Sequence, residues 1–428
     1  MADTRKTFLL RFTGEDRPGL TAALAEVLAV HDAEILDINQ AVIHESLLLG
    51  VMVRLPATSS GRSSASGLSE PSEFSEPERF RTEVSRAAEQ LGLRMKLQRI
   101  ADSDYDHWVS QQGKPRYILT LLSRSVTGRQ LAAVTEVIAR EGLNIDVIHR
   151  LSGRPPRIDD GLPKRACVEF WLRGEPLDRE RMQSHFMELS RELELDVSWQ
   201  KDDAYRRSRR LVVFDMDSTL IQAEVIDELA KEAGTGAQVA AITELTMRGE
   251  LEFDASLRER VATLRGLPES TLAKVAERLE LTEGAEALLT NLRALGYKTA
   301  VLSGGFSYFG EQLQRRLKID YVYANELEIV DGVLTGRLRG EIVNGSRKAE
   351  LLEQIAAIEG INRRQVIAVG DGANDLPMLN RAGLGIAFHA KPIVRKEAAH
   401  AVSTLGLDAI LYLLGVRDRE RTPVRAEV

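Results

Sequence analysis

Only one cysteine, Cys167, occurs in 428 residues, which excludes an intrachain disulfide and a thiolate metal cluster. It lies in the alternating stretch ACVEFWL, which reads as a buried strand thiol; a reactive nucleophile is the alternative. Positive charge is not in excess either. The net charge is -7 and the arginines are scattered among acids, so neither nucleic acid nor an anionic membrane surface is an expected partner. No stretch approaches about 18 consecutive apolar residues, so no membrane-spanning helix is expected. The amino-terminal MADTRKTFLL has no long apolar core and no cleavage signature, so no signal peptide is expected and cytoplasmic residence is the reading that follows. What is present, 43% hydrophobic and 28% charged residues, describes a soluble globular protein on a chain too long for one core; two or three domains are expected.

The first half contains a weak internal repeat. Glu26-Val27-Leu28-Ala29 aligns with Glu136-Val137-Ile138-Ala139, and Ile35 and Ile38 then fall on Ile145 and Ile148. Each copy reads strand, loop, amphipathic helix, strand, strand, helix, strand. That order, βαββαβ, is the ferredoxin-like sandwich of two helices on an antiparallel sheet. Residues 1–101 and 115–201 form the first two expected domains. The segment at about 57–79 is rich in Ser, Gly, Pro and Glu and poor in large apolar residues. It cannot bury enough surface to offset its ordering entropy and reads as a mobile insertion.

From about Arg206 the pattern changes. LVVF, KTAVLS and QVIAVG are short, nearly all-apolar runs separated by helical stretches, the signature of a parallel sheet covered on both faces. Residues 208–420 form this third, α/β domain. Asp331-Gly332 between β-prone residues signals a hairpin. Residues 225–285 are mostly helical and interrupt the strand pattern, as an inserted cap would.

In such sheets ligands sit beyond the carboxyl ends of the strands. The first apolar run ends in Asp215-Met216-Asp217-Ser218-Thr219, the second in Ser303-Gly304-Gly305, the third in Gly370-Asp371-Gly372-Ala373-Asn374-Asp375, and Lys348 begins a helix between the last two. Several carboxylates together repel unless a hard cation neutralises them. Oxygen ligands without Cys or His favour Mg²⁺. A phosphate monoester fits what remains, met by the cation, Lys348, the Ser303 hydroxyl and loop amides. One aspartate can act as nucleophile through an aspartyl-phosphate, and a second, two residues on, as general acid and then base. Met singly, each of these residues would read as a solvated turn or surface charge; their joint order is the signal.

These motifs resemble the haloacid dehalogenase superfamily, and most closely its phosphoserine phosphatase family: DMDSTLIQAEVIDELA, MRGELEFDASLRERV, VLSGGF, GSRKAELL and VGDGANDLPML stand in family order across 208–420. The resemblance implies a Rossmann-like domain with a helical cap. It implies Asp215 as nucleophile and Asp217 as acid/base, with Asp215, Asp371 and the backbone of Asp217 holding Mg²⁺. Ser303, Gly304 and Lys348 would bind phosphate, and Asp375 and Asn374 would orient the metal shell and substrate. Glu224 would meet the ammonium of phosphoserine and Arg260 its carboxylate, with Met247 and Phe253 walling the pocket. One acid and one arginine do match the two remaining charges of a zwitterion. The implied reaction is hydrolysis of O-phospho-L-serine, the last step of serine biosynthesis. The competing readings are transfer of the phosphoryl group to an alcohol such as homoserine, and an inactive amino-acid sensor. His389, after the next apolar run, reads as structural.

GEDRPGL, with Asp16, Gly19 and Leu20, joins the first strand to its helix and, with the βαββαβ order, resembles the ACT domain, a small-molecule sensor. The resemblance implies a possible serine effector there. The second copy keeps Gly128 but lacks Asp-Arg-Pro-Gly, so it reads as a dimerisation or spacer module; both copies serving assembly alone is the alternative. Exposed sheet edges that pair across a two-fold make a homodimer the expectation.

Overall fold

A computed structural model describes residues 5–57, 76–154, 164–398 and 400–423. The chain divides into two compact units, with the break after Gly113.

In the first unit the strands are β1 (Lys6–Glu15), β2 (Glu34–Ile43), β3 (Ser46–Leu55) and β4 (Arg94–Ile100), in the antiparallel order β2-β3-β1-β4. Period-2 alternation turns Phe8, Leu10 and Phe12 of β1 and Leu47, Leu49, Val51 and Val53 of β3 onto helices Leu20–Val30 and Glu76–Gln90. On the opposite face, among the described residues, Leu48 is exposed and Arg54 lies over the Tyr105 ring. Most of the expected insertion at 57–79 lies outside the described residues, but its last four residues are not loop: they open the helix Glu76–Gln90. The segment after β4, including Trp108, is also helical, over Asp102–Ser110.

The second unit holds two sheets. Its first strands, β5 (Arg116–Ser123), β6 (Asn144–Arg150), β7 (Ala166–Arg173) and β8 (Leu195–Lys201), repeat the topology as β6-β7-β5-β8. Here the burial differs. Six consecutive residues of β5 and five of β7 are buried, so both faces of this sheet are covered. One face packs on its own helices, Gly128–Arg140 and Arg179–Leu193. The other sends Leu122 and Cys167 into the core of the third domain. Cys167 is fully buried, and burial drives its thiol pKa well up, as a buried strand thiol requires. Polar groups seal the seam. Asp196 accepts from Ser403 N at 2.8 Å, Thr404 N at 2.9 Å and Thr404 Oγ1 at 2.7 Å. Gln200 Nε2 donates to Leu413 O at 2.9 Å, and Arg206 pairs with Glu169 in the interior.

The remaining strands are β9 (Leu211–Phe214), β10 (Lys298–Phe306), β11 (Tyr321–Val330), β12 (Val333–Arg339), β13 (Val366–Gly370), β14 (Leu384–Phe388) and β15 (His400–Val402). They form one sheet in the order β12-β11-β10-β9-β13-β14-β15, parallel except for the β11–β12 hairpin. That hairpin turns at Asp331-Gly332, both with positive φ, as the Asp-Gly pair predicts. The register positions the site. Phe214, the last residue of β9, pairs with Val301 of β10 and Val369 of β13, and Asp215 is the first residue beyond it. Between β9 and β10, helices Val225–Ala233, Gly236–Met247, Phe253–Ala262 and Ser270–Arg278 form the cap. Among the described residues no helix is long and apolar enough to cross a membrane.

Candidate active site

Asp215 is anchored by its backbone: its N–H donates to Val369 O at 2.9 Å, extending the β9–β13 pairing by one residue. Its Oδ1 accepts from Met216 N at 2.7 Å and from Lys348 Nζ at 2.8 Å. Lys348 lies in the first turn of helix Gly345–Ile358, whose N-cap Asn344 accepts from Arg347 N. It is 0% exposed and also donates to Asp375 Oδ1 at 2.8 Å. Asp375 in turn accepts from Gly372 N at 3.0 Å through Oδ2. A Cβ on Gly370 would stand 2.5 Å from the Asp375 carboxyl carbon, so the strand end must be glycine. Asp371 accepts from Thr219 Oγ1 at 3.2 Å. Oxygens of Asp215, Asp371 and Asp375 lie within 4.8 Å of one another.

Asp217 points elsewhere. Its Oδ1 accepts from Val225 N, the start of the first cap helix, at 3.2 Å, and Gly305 of β10 packs against its Oδ2 where any Cβ would collide. Ser303 is buried, and its Oγ accepts from Gly305 N at 2.8 Å, which leaves the hydroxyl proton free to donate.

Electrostatics follow from crowding acids in a dry site. Burial, then Asp375, raises the Asp215 pKa well above the usual range against the pull of Lys348. Burial, then Glu224, does the same for Asp217. Asp371 is pushed up to about 7 by burial and by Asp375 and Glu224. Burial opposes the charge on Lys348, but Asp215 and Asp375 outweigh it and raise its pKa. The donor set is oxygen only, with mutually repelling carboxylates, which fits a hard divalent cation.

Above this floor lies a cavity of about 620 Å³ between the strand ends and the cap. Asp215, Asp217, Asp371, Gly304 and Asn374 line it from below, and Glu224, Met247, Phe253 and Arg260 from the cap side. Ser303, Lys348 and Asp375 sit beneath its surface, fully buried. Glu224 accepts from Ser218 Oγ at 2.9 Å. Burial lowers the Arg260 pKa, partly offset by Glu224, Asp227 and Asp217; among the described residues no ion pair joins Arg260 to Glu224. Met247 is 66% exposed, so it edges the cavity rather than filling it.

The other sequence candidates stand apart. His389 has φ 44 and its Nε2–H donates to Leu405 O at 2.9 Å, a structural role. In the first unit Gly19 takes φ 92 before helix Leu20–Val30, Leu20 is core, and Asp16 N donates to Glu45 O at 2.7 Å. The Asp16 carboxylate and the Gly19 backbone are exposed there, beside Arg17, whose guanidinium donates to Leu91 O at 2.7 Å.

Two residues escaped the sequence reading. Lys391 lines the cavity from the loop after β14, where the strand-end rule would have found it. Asn325, inside β11, is buried and ties the end of β10 to the segment after β12, its Nδ2 donating to Gly304 O at 2.8 Å and its Oδ1 accepting from Val343 N at 2.9 Å. No motif marks it. Asn325→Leu strands both backbone groups and is expected to cost about 2–4 kcal/mol of stability, measured by denaturant unfolding, with reduced turnover.

A parallel sheet with paired strand-end aspartates, a buried lysine and a helical cap defines a phosphohydrolase of haloacid dehalogenase type. The family model described as haloacid dehalogenase-like hydrolase matches residues 212–380, and that of the ACT domain residues 6–98. The chain is 42% identical over 408 residues to phosphoserine phosphatase SerB2 of Mycobacterium tuberculosis, covering 95% of this chain and 93% of that one. It is 40% identical over 415 residues to the phosphoserine phosphatase of Streptomyces coelicolor, covering 97% and 93%. A solved structure of a probable phosphoserine phosphatase from Vibrio cholerae, 36% identical, matches with a TM-score of 0.56 over 70% of this chain and 86% of its own. The chain belongs to the phosphoserine phosphatase family, and it is a phosphatase.

Proposed function

We propose that this enzyme hydrolyses O-phospho-L-serine to L-serine and phosphate, as the last step of serine biosynthesis. The observation that carries the reading is that Glu224 and Arg260, opposite charges not paired with each other among the described residues, line the same cavity as Asp215 and Asp217. A substrate with an ammonium and a carboxylate satisfies both.

Asp215 attacks phosphorus, forming an aspartyl-phosphate as the ester P–O bond breaks. Asp217, kept protonated by burial and by Glu224, gives its proton to the departing serine oxygen. Asp217 then takes a proton from water, which attacks the same phosphorus and frees the Asp215 carboxylate with release of phosphate. Lys348 holds Asp215 in place and, with Ser303 Oγ–H and the amide of Gly304, offsets charge on the phosphoryl oxygens; Gly305 N–H orients the Ser303 hydroxyl. Asp215, Asp371 and the backbone of Asp217 would hold Mg²⁺, with Asp375 and Asn374 supporting them; when bound, the ion supplies positive charge to the phosphate. The effector proposed for the ACT domain is a small amino acid such as serine at Asp16–Leu20, where the Asp16 carboxylate and the Gly19 backbone are exposed.

The proton on Asp371 gives a pH test. Its folded pKa of about 7 lies above the ordinary 3.8, so between these values the metal-free native state binds the extra proton, and stability falls as pH rises through that window. Mg²⁺ must displace that proton. Its affinity is expected to weaken at least about tenfold per pH unit below 7, since Asp215 is raised as well, read by calorimetric titration at pH 7.5, 6.5 and 5.5. A pH-independent affinity would remove Asp371 from the ligand set.

Arg260→Ala is expected to raise KM for phosphoserine about 100-fold and to change a monoester lacking a carboxylate less than threefold. Steady-state kinetics on phosphoserine, phosphothreonine and a simple monoester, with and without Mg²⁺, test this and the substrate assignment together. Equal losses on every substrate would count against both.

A further inference from the structure

A second cavity, of about 70 Å³, lies where helix Arg179–Leu193 of the second ferredoxin-like domain meets helix Pro392–Glu397 and β15. At roughly 10–15 Å³ per water it has room for about five waters, the size of a small organic acid. Its floor is apolar, made by Met182, Phe186 and Trp199, with Ala398 and Ala401 opposite. Arg179 and Arg395 line it from the two domains, and among the described residues no Asp or Glu does. Among the described residues neither guanidinium is ion-paired. Arg179 is exposed and Arg395 half-buried. Two guanidinium groups at the edge of an apolar cavity are the complement of an anion with an alkyl tail.

We propose that this cavity binds a short aliphatic monocarboxylate without an amino group. The apolar floor takes the alkyl chain, and the two guanidinium groups supply donors for the carboxylate oxygens. An α-ammonium would meet two arginines and no acid, so amino acids are disfavoured. The site is separate from the active-site cavity, but helix Pro392–Glu397 connects them: it carries Arg395 and begins one residue after Lys391, which lines that cavity. Occupancy therefore bears on the position of Lys391.

Three near-isosteric probes test the proposal on the full chain: propionate, propionamide and L-alanine, titrated by saturation-transfer NMR. Propionate is expected to bind saturably in the millimolar range, with propionamide and alanine at least about tenfold weaker. The double variant Arg179→Gln/Arg395→Gln is expected to lose propionate at least about tenfold with an unchanged circular dichroism spectrum. Saturating propionate is expected to change KM for a phosphate monoester at least about twofold in the native chain and not in the double variant. Equal binding of the three probes, or no saturable binding up to about 50 mM, would overturn the site. Unchanged affinity in the double variant would overturn the role of the arginines, and unchanged KM at saturation the link to Lys391.

Discussion

Asp215→Asn is expected to lower turnover by at least about 10⁴-fold while the protein still binds phosphoserine. The amide is isosteric, so the β9–β13 anchor through the residue 215 N–H survives, and so does the packing around it. What goes is the anionic oxygen that would take the phosphoryl group, together with one carboxylate of the three that cluster within 4.8 Å. Binding charges on Glu224 and Arg260 are untouched. Rapid-quench detection of a phosphorylated chain in the native enzyme and none in the variant would join the rate loss to its cause. Turnover within about tenfold of native would exclude Asp215 as nucleophile.

Lys348→Met is expected to damage both rate and stability. The ammonium is fully buried between Asp215 and Asp375, 2.8 Å from each. Methionine fills the same volume but leaves two carboxylates in a dry site without their cation. Breaking a buried ionic cluster in this way costs about 3–5 kcal/mol unless the acids take up protons, and a protonated Asp215 is no nucleophile. Loss of turnover of at least about 10³-fold follows. The pairing of Lys348→Met with Asp375→Asn separates the two effects. It removes one orphaned charge and is expected to recover stability in denaturant unfolding without recovering turnover, because Asp215 still lacks its partner. Recovery of both would reduce Lys348 to a structural counter-ion. Arginine is no substitute, since a planar fork does not fit a point ammonium's place between two single oxygens.

The groups that meet at this candidate site were legible because they are written locally. Each apolar run ends in its own short motif, and reading every run to its carboxyl end finds Asp215, Ser303 and Asp371 without any knowledge of their distances. The same rule, applied to the run ending in Phe388, stopped at His389 and passed over Lys391 two residues later, which is the one that reaches the cavity. Asn325 was invisible for a different reason: it lies inside β11 in the unmarked run YVYANELEIV, and its two partners are 21 and 18 residues away. A buried amide that ties two segments together has no period and no spacing.

The second ferredoxin-like domain makes the same point at larger scale. Its helices and strands follow from alternation and capping, as at Thr127, whose side chain accepts from Gln130 N. Read alone it was a dimerisation or spacer module, yet its second sheet face is buried on the third domain, with Asp196 and Gln200 committed to partners there and Glu169 to Arg206 of the connecting helix Ala204–Arg207. The nearly unbroken burial of β5 and β7, against the alternation in β3, is the trace of that contact.

Local pattern by itself determined the element order, the hairpin at Asp331-Gly332, the inserted cap and the chemical groups at each strand end, because backbone sterics and the periods of strand and helix act over a few residues. Tertiary structure alone decided that Lys348 bridges Asp215 to Asp375, that Asp217 turns away toward the cap, and that two domains share one core. Those choices depend on groups tens to hundreds of residues apart meeting in a medium too dry to leave a charge or an N–H unanswered, and no short stretch of chain carries that information.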